Sequence, residues 1–298
     1  MICIFNPEHD LCLANGDRHY VPPASALAFA SSACGLMGIV YPSAQCLPAP
    51  KVGEAYRRNN DGVLVPWGWN ATLKADLLKQ GIPEHLMPSD STLDRWRQLQ
   101  HRTTLLPLQP DSRAVTDVAE VEELLALYPD MVLKAPWSGS GRGLRWVSNR
   151  LSDHDKAWLD KVVREQRCAI AEPRWSVQHD FALEYRIDES GLLFIGYSLF
   201  ESANGVYRDN LLLSDDAISR LVGFPMSLHT LLDDWLKDNI VTYYQGPIGV
   251  DCISDKEGSY HISEINLRHT MGIVAHEYLR LHPEKEGSRF TPMDFTIG

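Results

Sequence analysis

The stretch GPIGVDCISDKEGSYHISEINLRHTMG, residues 246–272, decides how the rest of the chain is read. Residues 248–253 and 260–267 are rich in β-formers. They flank Ser254-Asp255-Lys256-Glu257-Gly258-Ser259, a cluster of turn formers, and the pattern predicts a β-hairpin. With a loop at 256–259, Asp255 faces Tyr260, and stepping back two residues at a time sets Asp251 opposite Glu264. Cross-strand neighbours on one face lie about 5 Å apart at Cβ. Residues i and i+2 share a face, so Glu264, Asn266 and Arg268 line up beside Asp251. That face carries three hard oxygen ligands and one fixed cation. Two carboxylates this close repel unless a positive charge lies between them, and Mg²⁺ (or Mn²⁺) suits the place, because it takes one or two carboxylates plus substrate phosphates. An amphipathic hairpin with its polar face in water would show the same alternation.

Composition limits the function classes. A chain of 298 residues makes two compact domains or one large one, and 44% apolar with 22% charged residues is ordinary for a soluble globular protein. The 28 basic and 39 acidic residues leave a net charge of −11, which argues against nucleic acid or an anionic membrane as the main partner. An anionic ligand must then be met by local cations. Six cysteines (Cys3, Cys12, Cys34, Cys46, Cys168, Cys252) are scattered without a C-x-x-C pair, so neither a disulfide framework nor a zinc site is expected, and a reduced, cytoplasmic setting is. The first residues lack a basic region and meet Glu8 and Asp10 early, unlike a signal peptide. Residues 24–41 are uncharged but rich in Ala, Ser and Gly, which predicts a buried small-residue helix followed by a strand at 38–41.

In chain order, residues 2–5 form an apolar strand, followed by the polar loop Asn6-Pro7-Glu8-His9-Asp10 and the helix after Pro22-Pro23. Strand, loop, helix, strand suggests a small βαβ-type domain whose strand-end loops face a ligand. His9 and Asp10 are candidate substrate contacts, with a capping turn as the plain alternative. Residues 42–61 read as irregular, 63–66 as a short strand and 73–80 as a helix ended by Gly81, with a boundary at 83–88. Residues 92–102 read as a basic helix carrying Arg95, Arg97 and Arg102.

Residues 131–147, MVLKAPWSGSGRGLRWV, run strand, glycine loop, strand. A Walker loop or a dinucleotide fingerprint needs its glycines to open a helix, so neither fits. A glycine flap between strands (Ser138, Gly139, Ser140, Gly141, Arg142, Gly143) instead lets backbone N–H groups close over phosphates, with Lys134 reaching the same charge. Ser152 and Asp155 make a capping box for a helix to about Gln166, and a strand follows at 168–172. Further on, a hairpin turns at Asp188-Glu189-Ser190-Gly191, Asn204-Gly205 marks another turn, and 215–240 is helical with a break near Gly223-Phe224-Pro225.

With these pieces in order, the chain resembles the ATP-grasp superfamily of carboxylate–amine ligases. The resemblance covers roughly residues 90–280. It implies an α/β fold, α+β in the nucleotide-binding half, with a small pre-ATP-grasp-like domain at 1–88 and a two-lobed ATP-grasp domain at 89–298, its lobes about 89–172 and 173–298. Lys134 and the glycine loop resemble the family's clamp on ATP phosphates. Glu172 falls where the family has its adenine-side hinge residue, and Asp180 near the acid that holds the ribose. Asp251, Glu264 and Asn266 resemble its Mg²⁺ ligands, and Arg268 the arginine that follows Glu-x-Asn in several members. The family's lysine ahead of the second strand pair is missing, and Arg95, Arg97 or Arg102 would have to replace it. The implied chemistry is ADP-forming: a carboxylate attacks ATP, and an amine (or thiol) opens the acyl phosphate, with Lys134 and Arg268 as the catalytic cations. A kinase of the same fold and a non-catalytic ATP-binding module are the alternatives. Small-molecule substrates are expected, contacted by His9 and Asp10 or, failing those, by Arg186, Tyr207 and Asn210. A homodimer stays open.

Overall fold

The structure, a computed structural model, describes residues 1–59, 62–139, 143–203 and 205–295. Three sheets organise it. The first sets β1 (Ile2–Phe5) between β2 (Gln45–Pro48) and β3 (Leu64–Pro66), both parallel to it. The second is antiparallel and contains β4 (Arg113–Val115), β5 (Asp130–Lys134), β6 (Leu144–Ser148) and β7 (Ala169–Pro173) in the order β4-β7-β5-β6. The third contains β8 (Val177–Asp188), β9 (Gly191–Ala203), β10 (Val206–Leu211), β11 (Gly246–Asp255), β12 (Tyr260–Asn266) and β13 (Arg289–Phe290) in the order β12-β11-β8-β9-β10-β13, also antiparallel.

Period-two alternation gives the third sheet a core face and an open face. Phe181, Leu183, Tyr185 and Ile187 of β8 are fully buried against the helices Asp215–Val222 and Met226–Asn239, while Asp180, Ala182 and Glu184 point to the other side. In β5, Met131 and Leu133 pack on the helices Val118–Leu127 and Asp153–Gln166, leaving Val132 and Lys134 to the open side. The second of those helices carries the expected capping box: Asp155 N–H donates to Ser152 Oγ (3.2 Å) and Ser152 N–H to Asp155 Oδ2 (3.0 Å). The helix Met271–Leu281 returns to the first sheet, where Val274 and Ala275 share a core with Cys3, Phe5 and Met37.

Several expectations need correction. Residues 38–41 do not form a strand: Met37–Val40 is a helical turn, and the strand comes at Gln45–Pro48, inside the stretch expected to be irregular. A four-residue apolar run carries no periodicity to separate the two, and burial of Met37 against the returning helix decides it. The loop after β1 is shorter than expected, since His9 and Asp10 already belong to the helix His9–Asn15. The basic helix is Asp90–Leu99, and Arg102 opens the separate 3-10 segment Arg102–Leu108. Asp251 does face Glu264, but by another route: Ser254, not Asp255, pairs with Tyr260, and a bulge that leaves Ser263 unpaired restores the register.

Candidate active site

A cavity of about 470 Å³ lies between the open faces of the second and third sheets, closed at one end by the first. Lys134 stands at the end of β5 and crosses to the facing sheet, where its Nζ donates to Ser263 Oγ (3.1 Å), and it forms a close ion pair with Glu172 of β7. The bulged residue thus receives the lysine. Below Lys134, Ala135 N–H donates to Gly143 O (2.8 Å) and closes the base of the glycine loop. A Cβ on Gly143 would fall 2.2 Å from Ser138 Cβ, and one on Gly139 2.7 Å from Asp10 Cβ, so both approaches require glycine. Ser138 and Gly139 line the cavity; Ser140, Gly141 and Arg142 lie outside the described residues.

Of the three candidate arginines only Arg102 reaches the cavity. Arg95 and Arg97 lie over the rings of Tyr243 (4.2 Å) and Trp137 (3.7 Å). Arg102 is buried, with Nη1 donating to Ser138 Oγ (2.8 Å) and Nη2 to Glu264 Oε2 (2.6 Å), so it ties the loop to the hairpin.

Asp251 and Glu264 are cross-strand partners facing the cavity, and Asn266 Nδ2 donates to Asp251 Oδ2 (3.2 Å). Burial, then the neighbouring Glu264, pushes the Asp251 carboxyl up to about 8 against the pull of Arg268. Among the described residues no three His, Cys, Asp or Glu gather into a metal cluster. Two carboxylates and an amide fit Mg²⁺, which keeps waters and substrate phosphates in its shell, better than an ion needing a closed protein cage. Arg268 extends the same face. Its Nε and Nη2 donate to Asp10 Oδ1 (2.9 Å) and Oδ2 (2.8 Å), and Nη2 also donates to Asn266 Oδ1 (3.0 Å).

Glu172 and Asp180 both line the cavity. Ser202 Oγ donates to Asp180 Oδ2 (2.6 Å), and burial raises the Asp180 carboxyl. Tyr207 and Asn210 also line it, joined by a 2.7 Å hydrogen bond from Tyr207 Oη to Asn210 Oδ1. His9 and Arg186 do not. His9 is 0% exposed, hydrogen-bonded to Asn70 and pressed on Gly68, where a Cβ would come within 2.6 Å of its ring, so the substrate role expected for it is withdrawn in favour of packing. Arg186 donates to Tyr41 Oη (2.8 Å) outside the cavity. Asp10 does reach the cavity, but as the partner of Arg268. Sequence reasoning missed Glu184, which lines the cavity two steps along β8 from Ala182; the alternation of Asp180, Ala182 and Glu184 with buried apolar residues was the available signal.

No family model and no curated protein matches the chain. Solved structures do. Biotin carboxylase from Campylobacter jejuni, in a βγ-ATP complex, superposes with a TM-score of 0.55 at 13% identity over 78% of this chain and 54% of its own. N5-carboxyaminoimidazole synthetase from Staphylococcus aureus, complexed with ADP, gives 0.53 at 11% over 98% and 79%. The biotin carboxylase domain of a 2-oxoglutarate carboxylase from Hydrogenobacter thermophilus, with MgADP and bicarbonate, gives 0.50 at 14% over 84% and 59%. This is the ATP-grasp fold. The chain spans about half the length of the Campylobacter enzyme it matches. The second and third sheets are the two faces that enclose the cavity, and Asp251, Glu264, Lys134 and Arg102 all line it.

Proposed function

We propose that the protein is an ATP-dependent ligase that activates a carboxylate as an acyl phosphate, releasing ADP, for attack by an amine or similar nucleophile that expels inorganic phosphate. Residues 1–88 serve as the leading domain and 89–298 as the ATP-grasp domain. One observation carries this reading: a carboxylate pair, Asp251 opposite Glu264, faces the same cavity as the buried cations Lys134 and Arg102. Phosphoryl transfer is largely positioning and charge neutralisation, and those groups supply both without a side-chain nucleophile. The nucleotide complexes of the Campylobacter, Staphylococcus and Hydrogenobacter proteins support ATP as the ligand.

In this reading the adenine lies by Glu172 and the apolar wall of Leu144 and Trp146, and the ribose by Asp180. Lys134 and the glycine loop hold the phosphates. Arg102 replaces the lysine absent ahead of the second strand pair, its guanidinium already fixed between Ser138 and Glu264. Asp251, Glu264 and Asn266 would hold Mg²⁺, which when bound offsets charge on the transferring phosphoryl group. Arg268, always charged, steadies the transferring phosphoryl group or the acyl phosphate. The test is ADP release from Mg-ATP against pools of amino acids, amines and small carboxylates. The reading requires release that depends on both a carboxylate and a nucleophile. A phosphorylated alcohol formed with no amine requirement would make the protein a kinase instead.

A further inference from the structure

The open face of the third sheet is laid out in rows. Ser198, Ala182, Asp251 and Glu264 form one, and Gly196, Glu184, Gly249 and Asn266 the next. At roughly 3.3 Å per residue, Glu184 lies about 13 Å along β8 from Asp180, with the Asp251–Glu264 row between. A nucleotide running from Asp180 to that row therefore points its terminal phosphate toward the row of Glu184.

Glu184 is 1% exposed and lines the cavity, yet among the described residues it has no ion-pair partner. The two cations that act on it from a distance, Arg268 and His276, are taken up by Asp10 and Asp215. Its oxygens are held by hydroxyls: Ser198 Oγ donates to Oε1 (2.9 Å) and Thr270 Oγ1 to Oε2 (2.8 Å). Thr270 Oγ1 in turn accepts from Ile273 N–H (3.1 Å) at the start of the helix Met271–Leu281, an arrangement that favours a charged acceptor. Each oxygen keeps a further lone pair. Glycines surround Glu184 and let neighbouring groups approach closely: a Cβ on Gly196 would fall 2.5 Å from His276 Nε2, and one on Gly249 2.5 Å from Thr270 Cγ2 and 2.9 Å from Glu184 Oε2. Gly196 and Gly249 flank Glu184 in its row, and a Cβ on Gly272 would fall 1.9 Å from Oε1. Burial pushes the carboxyl up to about 7 against the pull of the two hydroxyls, as expected of an acid lacking a counter-charge. Next to Thr270 the cavity wall turns apolar, with Met271, Phe5, Phe29 and Trp67. Phe5 meets Phe29 and Trp67 edge-on at 5.7 and 5.2 Å.

We propose that this end of the cavity is an ammonium subsite: a primary amine with an apolar or aromatic body binds with its nitrogen on Glu184 and its body against Phe5, Phe29 and Trp67. Its part as a substrate rests on the ligase reading; its binding rests on Glu184 alone. Calorimetric titration without nucleotide, at a pH of about 8 where Glu184 is ionised, compares 2-phenylethylamine and isoamylamine with their alcohol counterparts. The amines should bind at least about tenfold more tightly than the alcohols. Glu184→Gln should abolish that preference, and Ser198→Ala, which keeps the carboxylate, should retain it. If Glu184→Gln does not fold, the wild-type comparison decides. Equal affinity for amine and alcohol, no binding of either amine, or a preference that survives in Glu184→Gln would overturn the proposal. Failure of the protein to bind Mg-ATP would remove the ligase reading and leave this result standing.

Discussion

Arg268 and Asp10, 258 positions apart in the chain, meet in a two-pronged ion pair of 2.9 and 2.8 Å that ties the acidic hairpin to the first helix. Burial pushes the Asp10 carboxyl up, but the charge and hydrogen bonds of Arg268 outweigh it and hold the group below its ordinary value. Asp10→Ala should therefore cost roughly 1.5–3 kcal/mol in urea denaturation near neutrality, because a partly buried guanidinium loses its two-pronged partner. A depressed carboxyl stabilises the fold above its unfolded value, and the contribution is lost as pH falls through the folded one. The gap between wild type and variant should accordingly close below about pH 4. A gap under about 0.5 kcal/mol at neutral pH would mean that the pair behaves as a surface salt bridge.

The carboxylate pair gives a second prediction. Mg²⁺ with ADP should raise the melting temperature of the wild-type protein, and Glu264→Gln, with a near-normal circular dichroism spectrum, should lose both that response and most ADP formation. An equal thermal shift in the variant would remove Glu264 from the metal site.

His269 makes a third. Its Nδ1 faces Trp67 O (3.2 Å) and its Nε2 faces Tyr41 Oη (2.9 Å), which fits a neutral ring donating from Nδ1 and accepting from the tyrosine. Burial lowers its pKa to about 4. The unfolded chain takes up the proton first, so stability should fall as pH drops from about 6.5 to 4, by up to roughly 3 kcal/mol from this residue. His269→Gln should be less stable at neutral pH and flatter over that window. An unchanged slope would assign the acid loss elsewhere, with the equally buried His9 as the next residue to test.

Features repeated along a strand were legible in the sequence. The alternation through 248–267 placed Asp251 opposite Glu264, and glycines between two apolar runs marked the loop after Lys134. The tip register was one residue out, because nothing local announces a bulge at Ser263. Residues 38–41 failed because strand and helical turn look alike over four apolar positions. Choosing Arg102 over Arg95 and Arg97, and pairing Arg268 with Asp10, needs distances between parts of the chain far apart in sequence. Glu184 was overlooked because it stands in a strand otherwise read as a hairpin arm.

The most direct test of the central claim is calorimetric titration of Mg-ATP into the wild-type protein and Lys134→Met, with folding of the variant checked by circular dichroism. The account predicts a wild-type dissociation constant below about 1 mM and at least about a tenfold loss in the variant, since Lys134 is a cation that bridges the two sheets beside the glycine loop. Absence of binding heat with the wild type, or the same affinity in folded Lys134→Met, would contradict it.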